Sequence, residues 1–282
     1  MARRVRLDAE LVRRGLARSR ADAADLVVAG HVTVDGQVAL KPARQVDPAQ
    51  ALEVIGRDEA WASRGAHKLL GALDVLGEDL RIAGRRALDA GASTGGFTDV
   101  LLRAGAASVV AVDVGYGQLA WRLRQDPRVQ VLDRTNVRTL RPDDVAPAPD
   151  LVVGDLSFIS LALVLPALRR CAAPDADFLL LVKPQFEVGR ERLGSGGVVR
   201  DPALHREAVL GVCAAAATEG LEPWSVVASP LPGPAGNVEY FVALKQSHPR
   251  ALRGRALSDA VEAAIARGPA GRGTGELSEG DG

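Results

Sequence analysis

The stretch Ala87-Leu88-Asp89-Ala90-Gly91-Ala92-Ser93-Thr94-Gly95-Gly96-Phe97 is the most informative part of the chain, because in it a short apolar strand runs directly into a glycine-rich turn. Such a turn between a strand and a helix lets a ligand approach the backbone closely. Asp113 stands 22 residues after Gly91, at the end of a second predicted strand, where a carboxylate can bind both ribose hydroxyls of a nucleoside. The stretch therefore predicts a nucleoside site at the edge of an α/β sheet.

The spacing of the glycines in the turn restricts which nucleoside-containing ligand can bind there. Asp-x-Gly-x-x-x-Gly-Gly lacks the middle glycine that brings a dinucleotide pyrophosphate against a helix N-terminus. We therefore expect an S-adenosylmethionine (AdoMet) site rather than a dinucleotide site, and a tight turn without a ligand is the alternative. The residues predicted to contact AdoMet are Asp89, Gly91, Ser93, Thr94, Gly95, Gly96, Phe97, Asp113 and Asp155.

Strands and helices alternate around the turn, which predicts a mostly parallel sheet with crossover helices. A helix is predicted over residues 64–76. The predicted strands cover residues 87–89, 108–113, 129–132, 151–155, 178–183, 226–227 and 238–244. Residues 247–282 end in a glycine-rich, low-complexity run and are predicted to be mostly disordered after a helix near 258–266.

Composition excludes several classes of protein. The 282 residues include 35 basic and 35 acidic side chains and are 47% hydrophobic, which indicates a globular protein. Cys171 and Cys213 lie in apolar stretches without a CxxC pair, so neither a disulfide framework nor a metal site is expected. The longest uncharged apolar run, residues 156–168, is too short to span a bilayer, and no signal-peptide pattern is seen. We expect a soluble cytoplasmic protein without a membrane partner.

A cluster of positive charge marks the N-terminal end, where residues 1–20 hold seven arginines against two acidic residues. The pattern predicts a helix over 7–15, a second helix capped by Ser19, a hairpin over 32–40 and a strand over 51–55. A helix pair beside a small sheet can lay guanidinium groups on a phosphate backbone. A solvated helix face explains the charge equally well.

Short motifs in this segment favour the first interpretation. They are Arg6-Leu7-Asp8, Gly15-Leu16, Ser19-Arg20, Gly30-His31-Val32, Asp35-Gly36 and Lys41-Pro42. Their order resembles the S4 RNA-binding domain, a small α+β module, and the resemblance implies structured RNA as the partner. The residues assigned to RNA binding are Arg4, Arg6, Arg18, Arg20 and Lys41.

The segment after the fourth strand of the sheet restricts which chemical group can accept the methyl. Amino-group methyltransferases carry a polar residue followed by Pro-Pro-aromatic there, whereas this chain has Asp155-Leu156-Ser157-Phe158. Methylation at pyrimidine C5 needs a nucleophilic cysteine, but both cysteines lie in core-like stretches. A hydroxyl acceptor remains, and a hydroxyl such as the ribose 2′-OH needs a base to take its proton.

Lysine is scarce, with four residues against 31 arginines. Since arginine serves wherever only positive charge is needed, a retained lysine can do what arginine cannot, which is to lose a proton once its reference pKa of ~10.4 is lowered. Lys183 and Asp155 end predicted strands at the edge where ligands of such folds bind. Lys68 alone would be a solvent-facing helix residue and Glu239 alone an exposed strand end, but the four together are poorly explained by coincidence.

Six longer motifs contain these four residues and the residues predicted to contact AdoMet. They are Ser63-Arg64-Gly65-Ala66-His67-Lys68-Leu69, the turn from Asp89 to Phe97, Asp113-Val114-Gly115-Tyr116-Gly117-Gln118-Leu119, Gly154-Asp155-Leu156-Ser157-Phe158-Ile159-Ser160, Lys183-Pro184-Gln185-Phe186-Glu187 and Gly236-Asn237-Val238-Glu239-Tyr240-Phe241. Together they resemble the TlyA family, hemolysin A-like proteins that join an S4 domain to an FtsJ-type methyltransferase domain.

The resemblance implies a Rossmann-like, class I AdoMet-dependent methyltransferase domain with a mostly parallel seven-stranded sheet. It implies 2′-O-methylation of cytidine in 16S or 23S ribosomal RNA, or both, with ribosomal subunits as partners. It also implies the domain order of an S4-like domain over 1–58, a linker over 59–64, a methyltransferase domain over 65–246 and a tail over 247–282.

The family's Lys-Asp-Lys-Glu tetrad falls on Lys68, Asp155, Lys183 and Glu239. We take Lys183 as the base, with Lys68 orienting the ribose and the two acids holding the ammonium groups, but the sequence leaves open which lysine is the base. Three alternatives stay open: an RNA-binding ribosome-assembly factor with an idle domain, a pore-forming hemolysin, and a small-molecule O-methyltransferase. The complete tetrad, the lack of a membrane segment and the basic N-terminal module argue against them in turn.

Overall fold

The computed structural model describes residues 4–14, 16–17, 19–47, 50–55, 61–233 and 235–268. The chain divides into two units, residues 1–60 and residues 61–282. Arg18 and the first part of the predicted 59–64 linker lie outside the described residues. Among the described residues, no helix is long and apolar enough to cross a bilayer.

The N-terminal unit packs two helices on short strands. Its elements are β1 (Val5–Arg6), α1 (Leu7–Arg13), α2 (Arg20–Val28), β2 (Val32–Val34), β3 (Gln37–Val38), β4 (Gln45–Val46) and β5 (Leu52–Val54). Ser19 caps α2 as predicted, because its Oγ accepts a hydrogen bond from Asp22 N at 3.1 Å. β2 pairs antiparallel with β3 and β5, and β1 pairs with β4. Leu7, Leu11 and other fully buried side chains from both helices form the core.

In the second unit the described residues form a seven-stranded sheet, which confirms the predicted fold class. Its strands are β6 (Arg86–Ala90), β7 (Ser108–Val112), β8 (Val129–Leu132), β9 (Leu151–Gly154), β10 (Asp177–Val182), β11 (Glu222–Ala228) and β12 (Tyr240–Lys245). The order is β11-β12-β10-β9-β6-β7-β8. Within this described sheet, β12 runs antiparallel to the other six strands.

Helices cover both faces of the sheet. They are α3 (Gly65–Leu76), α4 (Gly96–Arg103), α5 (Trp121–Arg124), α6 (Leu165–Cys171), α7 (Pro184–Glu187), α8 (Pro202–Thr218) and α9 (Gly254–Arg267). Successive strand residues point to opposite faces, so Val110 belongs to one core and Val109 to the other. Double coverage explains why β10 is an unbroken apolar run after its first residue.

The helix predicted near residues 258–266 is present and is longer than predicted. It is α9, which begins at Gly254 and ends at Arg267. Val261, Ala264 and Ile265 are buried in the core beside β11. Their 3–4 spacing is that of an amphipathic helix. Residues 269–282 lie outside the described residues.

Candidate active site

The four residues of the predicted tetrad meet at the carboxyl edge of the sheet. Asp155 directly follows β9, and Lys183 directly follows β10. Glu239 directly precedes β12, and because β12 is antiparallel, its first residue Tyr240 pairs with Val182 at the end of β10. Strand direction therefore returns Glu239 to the edge at which the parallel strands end.

Two close ion pairs link these four side chains. Lys183 Nζ lies 2.6 Å from Asp155 Oδ1 and donates a hydrogen bond to Ser157 Oγ at 2.8 Å. Lys68 Nζ donates to Glu239 Oε2 at 2.6 Å and lies 3.8 Å from Asp155 Oδ2. The result is a continuous Lys183–Asp155–Lys68–Glu239 chain in which two ammonium groups face two carboxylates.

The burial of Lys68 and Glu239 shows whether they belong to one group with Asp155 and Lys183 or are separate surface residues. Lys68 is 8% exposed and Glu239 is 1% exposed, so neither is a solvent-facing helix residue or an exposed strand end. A buried charge is tolerated only when it is paired, and removing one partner leaves the other uncompensated. The four side chains thus depend on one another for their stability at this edge.

The glycine-rich turn lies against this group with no room for side chains. A Cβ at Gly91 would lie 2.8 Å from the carbonyl oxygen of Asp155, and the residue has φ +86°. A Cβ at Gly96 would lie 2.9 Å from Ala66 N, in the first turn of α3. The turn therefore holds a bare stretch of backbone directly beside the tetrad, as close approach by a ligand requires.

Two cavities open at this edge. The first is about 300 Å³ and joins the turn to the tetrad. Its lining includes Gly91, Ser93, Thr94, Gly96, Phe97, Lys68, Asp155, Lys183, Leu231 and Pro232. The second is about 450 Å³ and combines apolar walls with a few polar groups. Its lining includes Val112, Val114, Val137, Ile159, Asp113, Gln118 and Asn136.

The two cavities adjoin, since both are lined by Gly91, Ser93, Asp155 and Ser157. An elongated ligand can therefore place a nucleoside in the second cavity and a reactive end in the first. The apolar walls suit a purine ring, the bare turn suits a closely packed chain, and the tetrad borders the reactive end. These residues fit AdoMet.

Asp113 is fixed where the nucleoside ribose would lie. Its Oδ2 accepts a hydrogen bond from Ser93 N at 2.8 Å, and its Oδ1 accepts one from Gly115 N at 2.7 Å. Each carboxylate oxygen carries a second lone pair, so both remain able to accept ribose hydroxyls. Asp113 thus ties the glycine-rich turn to the end of β7 and still presents acceptors to the second cavity.

Asp89 and Gly95 differ from the other predicted AdoMet residues, because they line neither cavity. Asp89 is completely buried beneath the turn, where Thr98 Oγ1 donates a hydrogen bond to its Oδ2 at 2.6 Å. Burial raises the pKa of Asp89 to about 7. The structure places both residues as supports of the turn rather than at its ligand-facing surface.

Phe158 is a site residue that the sequence motifs did not single out. It has φ +63°, its side chain is 91% exposed, and it lines the second cavity. Its ring centroid lies 5.2 Å from that of Phe186. A large apolar side chain held in solvent by a left-handed backbone points to a binding role. Phe158 lies in the quoted segment Asp155-Leu156-Ser157-Phe158 but was not assigned to the site, because a phenylalanine in an apolar run usually packs in a core.

Glu187 is another residue beside the site that was not assigned to it from the sequence. Its carboxylate accepts hydrogen bonds from Ser160 Oγ at 2.6 Å and from Leu161 N at 2.9 Å. It therefore ties the loop that carries Lys183 to the loop that carries Asp155. Burial raises the pKa of Glu187 despite these two hydrogen bonds.

The two cysteines do not belong to the site. Cys171 and Cys213 are buried in the core, and burial raises the pKa of Cys213 to about 12. Neither therefore offers the thiolate that C5 methylation would need.

In the N-terminal unit the predicted RNA-binding residues Arg4, Arg6, Arg20 and Lys41 are all exposed.

Comparisons with known proteins agree with this geometry. Residues 61–246 match the FtsJ-like methyltransferase family, and residues 5–51 match the S4 domain. The 16S/23S rRNA (cytidine-2'-O)-methyltransferase TlyA of Mycobacterium tuberculosis is 61% identical over 95% of this chain and 100% of its own. Hemolysin A of Brachyspira hyodysenteriae is 33% identical over 84% of this chain and 98% of its own. A solved structure from Streptococcus thermophilus, provisionally described as a hemolysin, is 37% identical over 94% of this chain and 96% of its own, with a TM-score of 0.68.

Proposed function

This chain belongs to the TlyA family of FtsJ-like methyltransferases, and on that basis we propose that it methylates the ribose 2′-hydroxyl of a cytidine in 16S or 23S ribosomal RNA, or both. The observation that carries the proposal is the ion-paired chain from Lys183 to Glu239 beside the glycine-rich turn. Lysine and carboxylate groups at that position suit proton removal from a hydroxyl. They do not suit an amine acceptor or a thiolate mechanism.

The methyl group would come from AdoMet, which supplies an electrophilic methyl on a sulfonium when it is bound. Gly91, Ser93 and Thr94 in the turn would hold its chain, and Asp113 would accept hydrogen bonds from its ribose. The apolar walls of the second cavity would surround its base. The remaining chemistry belongs to the tetrad.

Lys183 is the base in this proposal. Its Nζ borders the first cavity and is fixed at two points, by Asp155 Oδ1 and by Ser157 Oγ. As a neutral amine it would take up the proton that the 2′-hydroxyl loses. Asp155 is also 3.8 Å from Lys68, so neutral Lys183 does not leave this partly buried carboxylate without a cation.

Lys68 and Glu239 would act by position. Glu239 holds Lys68 Nζ at 2.6 Å, and Lys68 in turn lines the cavity that would receive the acceptor ribose. A fixed ammonium at this place can donate hydrogen bonds to ribose oxygens and keep the 2′-hydroxyl in line for transfer. The N-terminal S4 unit would supply most of the affinity for ribosomal RNA through its exposed arginines and Lys41.

The experiment is methyl transfer from tritiated AdoMet to 30S and 50S subunits purified from cells that lack this protein. The modified RNA is then digested to nucleosides. Label in 2′-O-methylcytidine would support the proposal and identify the subunit. Label on a base would overturn it, and bound AdoMet without transfer to either subunit or to free ribosomal RNA would favour the assembly-factor alternative.

A further inference from the structure

In the N-terminal unit, one buried carboxylate joins the residues assigned to RNA binding. Asp8, in the first turn of α1, is 4% exposed. Arg6 donates to both of its oxygens, from Nε at 3.0 Å and from Nη2 at 2.7 Å. Arg20, the first residue of α2, donates to the same carboxylate from Nη2 at 3.2 Å. Two arginines from different elements thus share one acid.

The backbone of Asp8 holds the turn that contains a third basic residue, Lys41. Asp8 N donates a hydrogen bond to the carbonyl oxygen of Pro42 at 3.1 Å, and Arg44 N closes the turn by donating to Lys41 O at 2.9 Å. The turn that carries exposed Lys41 is therefore anchored at Asp8 as well. Asp8 thus holds Arg6 and Arg20 through its carboxylate, and it contacts the turn that carries Lys41 only through its backbone.

We propose that Asp8 is a positioning residue for RNA docking, which holds the guanidinium groups of Arg6 and Arg20 in the orientation that a phosphate backbone requires. The inference rests on the proposed function, because it needs the S4 unit to bind ribosomal RNA. The side chains of Arg6 and Arg20 stay 45% and 61% exposed although Asp8 holds them from below. A guanidinium has five N–H donors, so each keeps donors for a phosphate.

The physical reason is preorganisation. A free arginine side chain explores many rotamers, and fixing it on binding opposes association. Arginines that a buried acid has already oriented lose less freedom when a phosphate binds. Hydrogen bonds from Arg6, opposed by burial and aided by Arg20, lower the pKa of Asp8 to about 2, so the carboxylate is ionised at neutral pH.

The expected effect is opposite in sign to that of simple electrostatics. Removing a negative charge from an RNA-binding surface should strengthen binding to phosphates. If Asp8 positions the arginines, Asp8→Asn should instead weaken binding of the full-length chain to 30S or 50S subunits, on the order of tenfold. The negative slope of log affinity against log salt concentration should also become shallower, by about one for each phosphate that the variant no longer binds.

Two control variants match Asp8→Asn in charge. Asp25→Asn removes the same charge from an exposed position on α2 and should leave the affinity unchanged or slightly raised. Glu10→Gln disrupts an equally buried carboxylate, which holds Arg13 at 2.5 Å and Arg14 at 2.7 Å. It should leave the salt slope unchanged, because neither arginine belongs to the assigned RNA-binding set.

A double-mutant cycle separates positioning from loss of the fold. In an Arg6→Ala/Arg20→Ala background, Asp8→Asn should cause no further loss, since the groups that it positions are gone. A further loss there would mean that Asp8 only stabilises the fold and would overturn the inference. Native or tighter binding by Asp8→Asn alone would overturn it as well, while docking by the S4 unit would stand. Unchanged binding by Arg6→Ala/Arg20→Ala would refute docking through these two arginines and would overturn the inference too.

Discussion

Lys183 Nζ and Asp155 Oδ1 lie 2.6 Å apart although the two residues follow different strands of the sheet. β9 and β10 are parallel neighbours in which Leu180 pairs with Gly154, so the residues after both strands emerge at one edge. The pair is fixed by this register rather than by a flexible loop. Lys183, the proposed base, should therefore keep its place whether or not an acceptor is bound.

Gly91→Ala should weaken AdoMet binding by about tenfold or more, because its Cβ would lie 2.8 Å from a backbone oxygen of Asp155 and the residue has φ +86°. Calorimetric titration with AdoMet measures the effect. Gly84→Ala is the control, since Gly84 has φ +78° but open space around its Cβ position. An equal loss in both variants would show that backbone strain alone, and not the cradle beside Asp155, is responsible.

Lys68→Met should lower the free energy of unfolding by ~3–5 kcal/mol, because it leaves the buried carboxylate of Glu239 without its cation. Lys68→Met/Glu239→Leu should recover much of this loss, since both charges are then gone. Urea denaturation of the three proteins measures it. Arg81→Met, in an exposed pair with Glu78, should change stability by less than ~1 kcal/mol. Additive losses in the double variant would contradict the pairing.

Asp89 should make stability fall as pH rises. Burial raises its pKa to about 7, above the unfolded value of 3.8, so the folded protein retains a proton that the unfolded chain releases. The stabilising effect is complete below pH 3.8 and is lost as pH approaches 7. Relative to Asp89→Asn, the native protein should therefore lose about 2–3 kcal/mol of unfolding free energy between pH 5 and pH 8. A difference that stays constant over this range would contradict the protonated state.

Phe158→Ala should raise the KM for the ribosomal subunit, and because Phe158 also lines the second cavity, it should weaken AdoMet binding to a smaller extent. The ring is 91% exposed, so its removal should hardly affect stability, whereas stacking of an RNA base on an aromatic ring contributes ~1–3 kcal/mol. Steady-state kinetics at saturating AdoMet measure the change. Leu163→Ala, at an apolar position that is 54% exposed, is the control. A loss of folding stability without a KM effect would make Phe158 structural.

The sheet could be predicted because its strands carry a period-2 or unbroken apolar signal, and the ends of β7, β9 and β10 then identified the ligand edge. Which acid pairs with which lysine could not be predicted, since Lys68 and Glu239 are 171 residues apart and meet only through tertiary packing. The exposure of Phe158 depends on one left-handed φ angle, which no pattern encodes. The two-residue strands β1 and β4 were also missed, because they are too short to show a period.

The role of Lys183 as the base is tested by comparing methyl transfer by the native chain and by Lys183→Arg under single-turnover conditions with saturating AdoMet. Arginine preserves the positive charge beside Asp155 but does not give up a proton near neutral pH. We predict a loss in rate of at least ~10²–10⁴, with binding of AdoMet and of ribosomal subunits retained. Native-like transfer by Lys183→Arg would show that Lys183 is not the base.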